Sequence, residues 1–212
     1  MTKHLGRLLI AGAFALSTSA FASIINFDFT GGNGSLVDSK TFTSGGVSAT
    51  ATAWSRDTNG DYVQGQLWLA GSGLGVDNAG NDNSQTVDNG PAVTGYDDYV
   101  RFLFSPLVTV TRISVWPYGD IDISYNTGSD PSQGWISQLA TVYGNPTVIV
   151  LDVKKASDYF RLGAARDQSN DAFTIAGLQV ETSTRSVPEP GTLALLGAGL
   201  MGLGLLRRRN HA

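Results

Sequence analysis

The chain contains no cysteine. That excludes a disulfide framework, a thiolate metal site and a cysteine nucleophile together. Histidine is nearly absent: the two in the chain, His4 and His211, lie at its ends. The interior therefore has no Ser–His–Asp triad and no Cys–His dyad, and a zinc hydrolase there would have to use carboxylates alone. Charge is sparse, with 15% of residues charged, and 14 Lys and Arg against 18 Asp and Glu give a net charge of −4. A nucleic-acid partner needs a basic face and is not expected. Between the ends no stretch has helical periodicity, so the strand–loop–helix unit behind phosphate and dinucleotide loops is missing too. The 26 Gly and 7 Pro among 212 residues are too few for a low-complexity chain.

Both ends read as addresses. Lys3, His4 and Arg7 open the chain, Leu8 to Leu16 is apolar, and Ala20-Phe21-Ala22 puts small residues where a signal peptidase reads. Residues 1–22 are thus a signal peptide, cut between Ala22 and Ser23. Its apolar run is shorter than the about 20 residues a permanent span requires. At the other end, Val187-Pro188-Glu189-Pro190 precedes the uncharged stretch Gly191 to Leu206, followed by Arg207, Arg208 and Arg209. As a helix that stretch reaches about 24 Å, against a hydrocarbon core of about 30 Å. Local thinning and snorkelling arginines close the gap. Residues 191–206 are read as a transmembrane helix through the inner membrane. The three arginines sit on its cytoplasmic side and the preceding domain on its periplasmic side.

Val-Pro-Glu-Pro, a Gly-rich apolar helix and a terminal arginine cluster together resemble the PEP-CTERM sorting domain of exported proteins from Gram-negative bacteria that make extracellular polysaccharide. The resemblance covers residues 187–212 and implies cleavage near Pro188-Glu189-Pro190 by an exosortase, with delivery to the cell surface or beyond. Such a tail holds the chain until an enzyme removes it. The two prolines keep the cut site out of the helix. Stretches such as Asp158-Tyr-Phe-Arg-Leu162 and Asp171-Ala-Phe-Thr-Ile175 are also similar to segments of such exoproteins, and no activity comes with that likeness.

Residues 23–186 hold all four Trp, all seven Tyr, and 9 Lys and Arg against 17 Asp and Glu, a net charge of −8. Their pattern is β throughout. Strands are expected over 47–54, 62–69 (interrupted at Gly65), 99–104, 107–116, 121–125, 135–143, 147–153, 159–164 and 172–181. Within 107–116 the apolar phase slips from Val108 and Val110 to Ile113 and Val115, which predicts a bulge near Thr111-Arg112. Short strands joined by Gly-, Asn- and Asp-rich turns read as a single all-β domain, a β-sandwich or jelly roll.

Three chemistries fit what is present. Asp77, Asp82, Asp88 and Asn89 lie in a Gly-rich segment dense in hard oxygen donors, which suits calcium. Asp97-Asp98 follow, and Asp167, Asn170 and Asp171 form a second cluster. Asx residues that cap turns give the same composition. Asp120 and Asp122 alternate with Ile121 and Ile123, so both should face solvent about 7 Å apart, a pair able to serve a glycosidase. Alternating Asp on a solvent face is equally the plain expectation for a strand. Trp116, Tyr118 and Trp135 lie at strand ends and offer platforms for sugar rings, although most Trp side chains are core. The expected function is a non-catalytic surface or matrix protein that binds extracellular polysaccharide with calcium. A glycan-active enzyme using paired Asp and a self-associating adhesin are the alternatives.

Overall fold

The computed structural model describes residues 22–56, 61–78, 85–88, 97–128, 134–139, 145–152, 154–165, 171–182 and 197–199. Ala22–Ser183 forms one compact unit, apart from the two ends. It is all β, as its sequence pattern implies. Fourteen strands run in chain order: β1 (Ile24–Asp28), β2 (Ser35–Val37), β3 (Lys40–Ser44), β4 (Val47–Arg56), β5 (Tyr62–Gln64), β6 (Gln66–Ala70), β7 (Gly73–Asp77), β8 (Val87–Asp88), β9 (Asp97–Pro117), β10 (Asp122–Asn126), β11 (Ile136–Leu139), β12 (Thr147–Val150), β13 (Ala156–Ala164) and β14 (Ala172–Thr182). All pair antiparallel in one connected hydrogen-bonded sheet, whose central path is β11-β10-β13-β9-β14-β7-β6-β2.

The long strand β9 explains how one sheet makes two layers. Its first half pairs with β4, from Arg56↔Asp97 to Ser48↔Ser105. Its second half pairs with β14, from Thr182↔Val108 to Phe173↔Pro117. The handover falls at Pro106, which has no N–H to give to a ladder. The layers meet through aromatic rings. Phe27 on β1, a strand paired with β14, lies 6.3 Å from Phe104, and Phe29 stacks on Phe102 at 5.5 Å. Room for these rings comes from β4, where Ala49, Ala51 and Ala53 face inward beside Phe104, Phe102 and Val100. The alternating Ala and Thr of β4 thus sort small residues to the core and hydroxyls outward.

The expected bulge is present. Gln179 pairs with Arg112 and Val180 with Val110, so Thr111 has no opposite number. The phase change keeps Val108, Val110, Ile113 and Val115 all buried. Sequence patterning separated 99–104 from 107–116, but they form one strand. It also missed β1, β2, β3, β7 and β8. β7 was hidden by its glycines: a side chain on Gly75 would collide with the carbonyl of Gln85, so the residue serves close backbone approach rather than a loop.

Among the described residues no helix is long and apolar enough to cross a membrane. The expected helix over 191–206 lies outside the described residues except at 197–199, which are helical.

Candidate functional site

Two segments distant in sequence converge beyond β9. Asp120 bridges to Asp171 in parallel, and Ala172 N donates to Asp120 O at 3.3 Å. Asp122 N donates to Asp171 Oδ1 at 2.9 Å, and Ile121 N donates to Asp120 Oδ1 at 2.9 Å. Carboxylate oxygens of Asp120, Asp122 and Asp171 all come within 4.8 Å of one another. Asp122 and Asp171 are buried, while Asp120 is exposed.

This corrects the expectation that Asp120 and Asp122 share a solvent face. Ile121 and Ile123 are buried as expected, but Asp122 is only 7% exposed. The position is covered as well, because Asp171 lies over it and its Oδ1 accepts the Asp122 N–H. Carboxylates this close repel one another when all are ionised. Together they make a hard-oxygen donor set suited to a cation such as calcium.

Of the residues read as calcium ligands, Asp77 and Asp88 are described. Asp77 ends β7 and Asp88 ends β8, each half-buried, with Thr86 Oγ1 donating to Asp88 Oδ2 at 2.9 Å. Asp82 and Asn89 lie outside the described residues. Asn78 does reach the Asp97-Asp98 pair: its Nδ2 donates to Asp98 Oδ1 at 3.2 Å, and Ser55 Oγ donates to the same oxygen.

The aromatic candidates separate. Trp116 lies on the second half of β9, on the face opposite Val115. Tyr118 is 60% exposed and its hydroxyl lies 2.9 Å from Ser72 Oγ. Trp135 belongs with the first half of β9, edge-on to Tyr99 at 5.5 Å.

Around Tyr99 is a group that sequence reading passed over. Because Val100, Phe102 and Phe104 face the core, Tyr99 and Arg101 must lie on the other face of β9. Tyr99 is nevertheless buried, stacked near Trp54 at 6.4 Å and edge-on to Tyr62 at 5.8 Å. That burial pushes its phenol up to about 12. Arg101 Nε donates to Thr52 Oγ1 at 3.2 Å and its guanidinium lies 4.7 Å from the Trp54 ring. Arg161 pairs directly across from Arg101. It is only 3% exposed, donates from Nη1 to Gly128 O at 2.6 Å, and is held below the usual guanidinium range by that burial. Alternation along β9 was a usable signal for Tyr99 and Arg101. The partners from β4 and β13 are long-range and left none.

The ends of the compact unit meet. Ser23 N donates to Thr182 Oγ1 at 3.3 Å, and Thr182 N donates to Ser23 O at 3.1 Å. The first residue expected after signal cleavage therefore sits beside the strand that leads into the C-terminal segment. Ala20, and the sorting residues Val187, Pro188, Glu189, Pro190, Arg207, Arg208 and Arg209, lie outside the described residues.

A β domain followed by a short apolar tail and terminal arginines defines a class: an exported protein with a C-terminal sorting signal. Residues 186–209 match the PEP-CTERM protein-sorting motif. The chain thus carries a PEP-CTERM sorting domain, the mark of an exported protein that is membrane-anchored and then processed by an exosortase. No curated protein matches the chain.

Proposed function

We propose that the processed domain is a non-catalytic cell-surface or matrix protein that associates with extracellular polysaccharide, with calcium held by carboxylates. The observation that carries this reading is the sorting motif at 186–209, which directs the chain outward. The signal peptide over 1–22 supplies entry to the export route, and residues 191–206 hold the domain on the periplasmic side until processing. The best-formed place for calcium is the trio Asp120, Asp122 and Asp171 rather than the segment from Asp77 to Asn89, because its oxygens already converge within 4.8 Å. Polysaccharide association is supported by the aromatic and polar surface around β9, since aromatic faces stack on the C–H faces of sugars.

The test is co-sedimentation of the detergent-solubilised full chain with the producer's own extracellular polysaccharide, with calcium present and chelated. Saturable binding supports the reading, and its loss on chelation places calcium in the interaction. Absence of binding in both buffers contradicts it.

A further inference from the structure

The face of β4, β9 and β13 turned away from the core carries two arginines side by side. The rows across these strands are Trp54–Tyr99–Gly163 and Thr52–Arg101–Arg161. Like charges placed directly opposite destabilise a sheet. Here the arrangement is held in place by specific contacts. Thr52 Oγ1 accepts from both Arg101 Nε and Trp54 Nε1, at 3.2 and 3.0 Å, so one hydroxyl fixes the guanidinium and the ring beneath it. Arg161 is anchored by Gly128 O and lies 5.5 Å from the Tyr159 ring.

Arg101 is the group left available. It is half-buried, its Nε is committed to Thr52, and its two terminal nitrogens meet no acceptor among the described residues. An oriented guanidinium with a free planar fork suits bidentate recognition of a carboxylate. The cation across the strand adds to its pull on an anion. This positive pair stands out in a domain of net charge −8. Half-buried aromatic side chains border it: Trp54, Tyr62, Trp135 and Tyr159. Rings beside a carboxylate fork make a surface for a polymer that is flat and apolar on one side and acidic along its length.

We propose that this face binds a carboxylate-bearing polysaccharide. Arg101 is the direct ligand of a uronate carboxylate, Arg161 and Thr52 are its positioning residues, and the bordering aromatics take the sugar rings. The site rests on the reading that the domain engages extracellular polysaccharide, and it adds the class of sugar and the residue that reads it.

The experiment is isothermal titration of the full chain in detergent micelles with hexagalacturonate and with a neutral hexasaccharide of galactose. The acidic ligand is expected to bind, more weakly as salt rises, and the neutral one to bind at least about tenfold less tightly. Arg101→Gln should cost about tenfold or more in affinity for the acid. Arg101→Lys keeps the charge without the fork and should fall between, which guards against a folding defect in the glutamine variant. Arg112→Gln, on the other half of β9, should bind as the unaltered chain does. Equal binding of both ligands, no binding of the acid, or full affinity in Arg101→Gln overturns the site. Co-sedimentation separates the two claims. If the producer's polysaccharide still pulls down Arg101→Gln fully, this site is wrong and the function stands. If it does not pull down the unaltered chain, the function itself is wrong.

Discussion

Asp122 donates its backbone N–H to the Oδ1 of Asp171 at 2.9 Å, across 49 residues of sequence. That single bond joins two acidic segments and brings Asp120 with them. If the trio holds calcium, the metal stabilises only the folded chain. At about 100 times the dissociation constant the gain is about 2.7 kcal/mol, or a rise in Tm of roughly 5–10 °C for a domain of this size. Asp171→Asn keeps the oxygen that accepts from Asp122 and removes the charge. Differential scanning calorimetry should show the calcium-dependent rise in the unaltered chain and its loss in this variant. An equal rise in both would place the metal elsewhere.

Gly163 is required by space. A Cβ there would come 2.6 Å from Asp98 O and 3.0 Å from Tyr99 Cβ. The nearest obstacle is backbone, so the strand pair β9–β13 must shift. Gly163→Ala should destabilise by about 1–3 kcal/mol, as overpacking does. Urea unfolding checks it; a midpoint equal to that of the unaltered chain would mean that β13 does not cross under Tyr99.

Phe160 links the aromatic core, with Phe102 at 6.4 Å and Tyr125 at 6.1 Å, and it has no exposed surface. Phe160→Ala leaves a cavity between two strands that do not pair with each other. The expected loss is about 3–5 kcal/mol by equilibrium unfolding.

Tyr99 makes stability fall in alkali. Its phenol is pushed up to about 12 by burial, from the ordinary value of 10.0. The unfolded chain gives up this proton first, so folding is weakened as pH rises from about 10 to about 12. Below the unfolded value the contribution is fully present. Tyr99→Phe should flatten this part of the stability-versus-pH curve, followed by chemical denaturation between pH 9 and 11. An unchanged slope would show that Tyr99 is not the group responsible.

What the sequence disclosed follows its ranges of interaction. Apolar alternation is local, so β4, β14 and the two halves of β9 were legible, and so was the phase slip at Thr111, because a two-residue period records its own interruption. β7 gives no clear strand signal because glycine marks both turns and close approach, and only the neighbouring Gln85 carbonyl distinguishes them. Alternation places Asp122 in solvent because it gives the face but not what covers it. The covering residue, Asp171, is distant in sequence. Arg101 and Arg161 went unnoticed for a similar reason: their pairing depends on strand order, which no local pattern encodes.

An exported chain that is anchored and then cut by an exosortase loses its C-terminal signal. Intact mass spectrometry of the protein recovered from the outer surface and medium of exosortase-proficient cells tests this. The expected product is a polypeptide that begins at or within a few residues of Ser23, ends near Pro188-Glu189-Pro190, and lacks Arg207, Arg208 and Arg209. A product that still ends at Ala212 and stays in the inner-membrane fraction of those cells would contradict it.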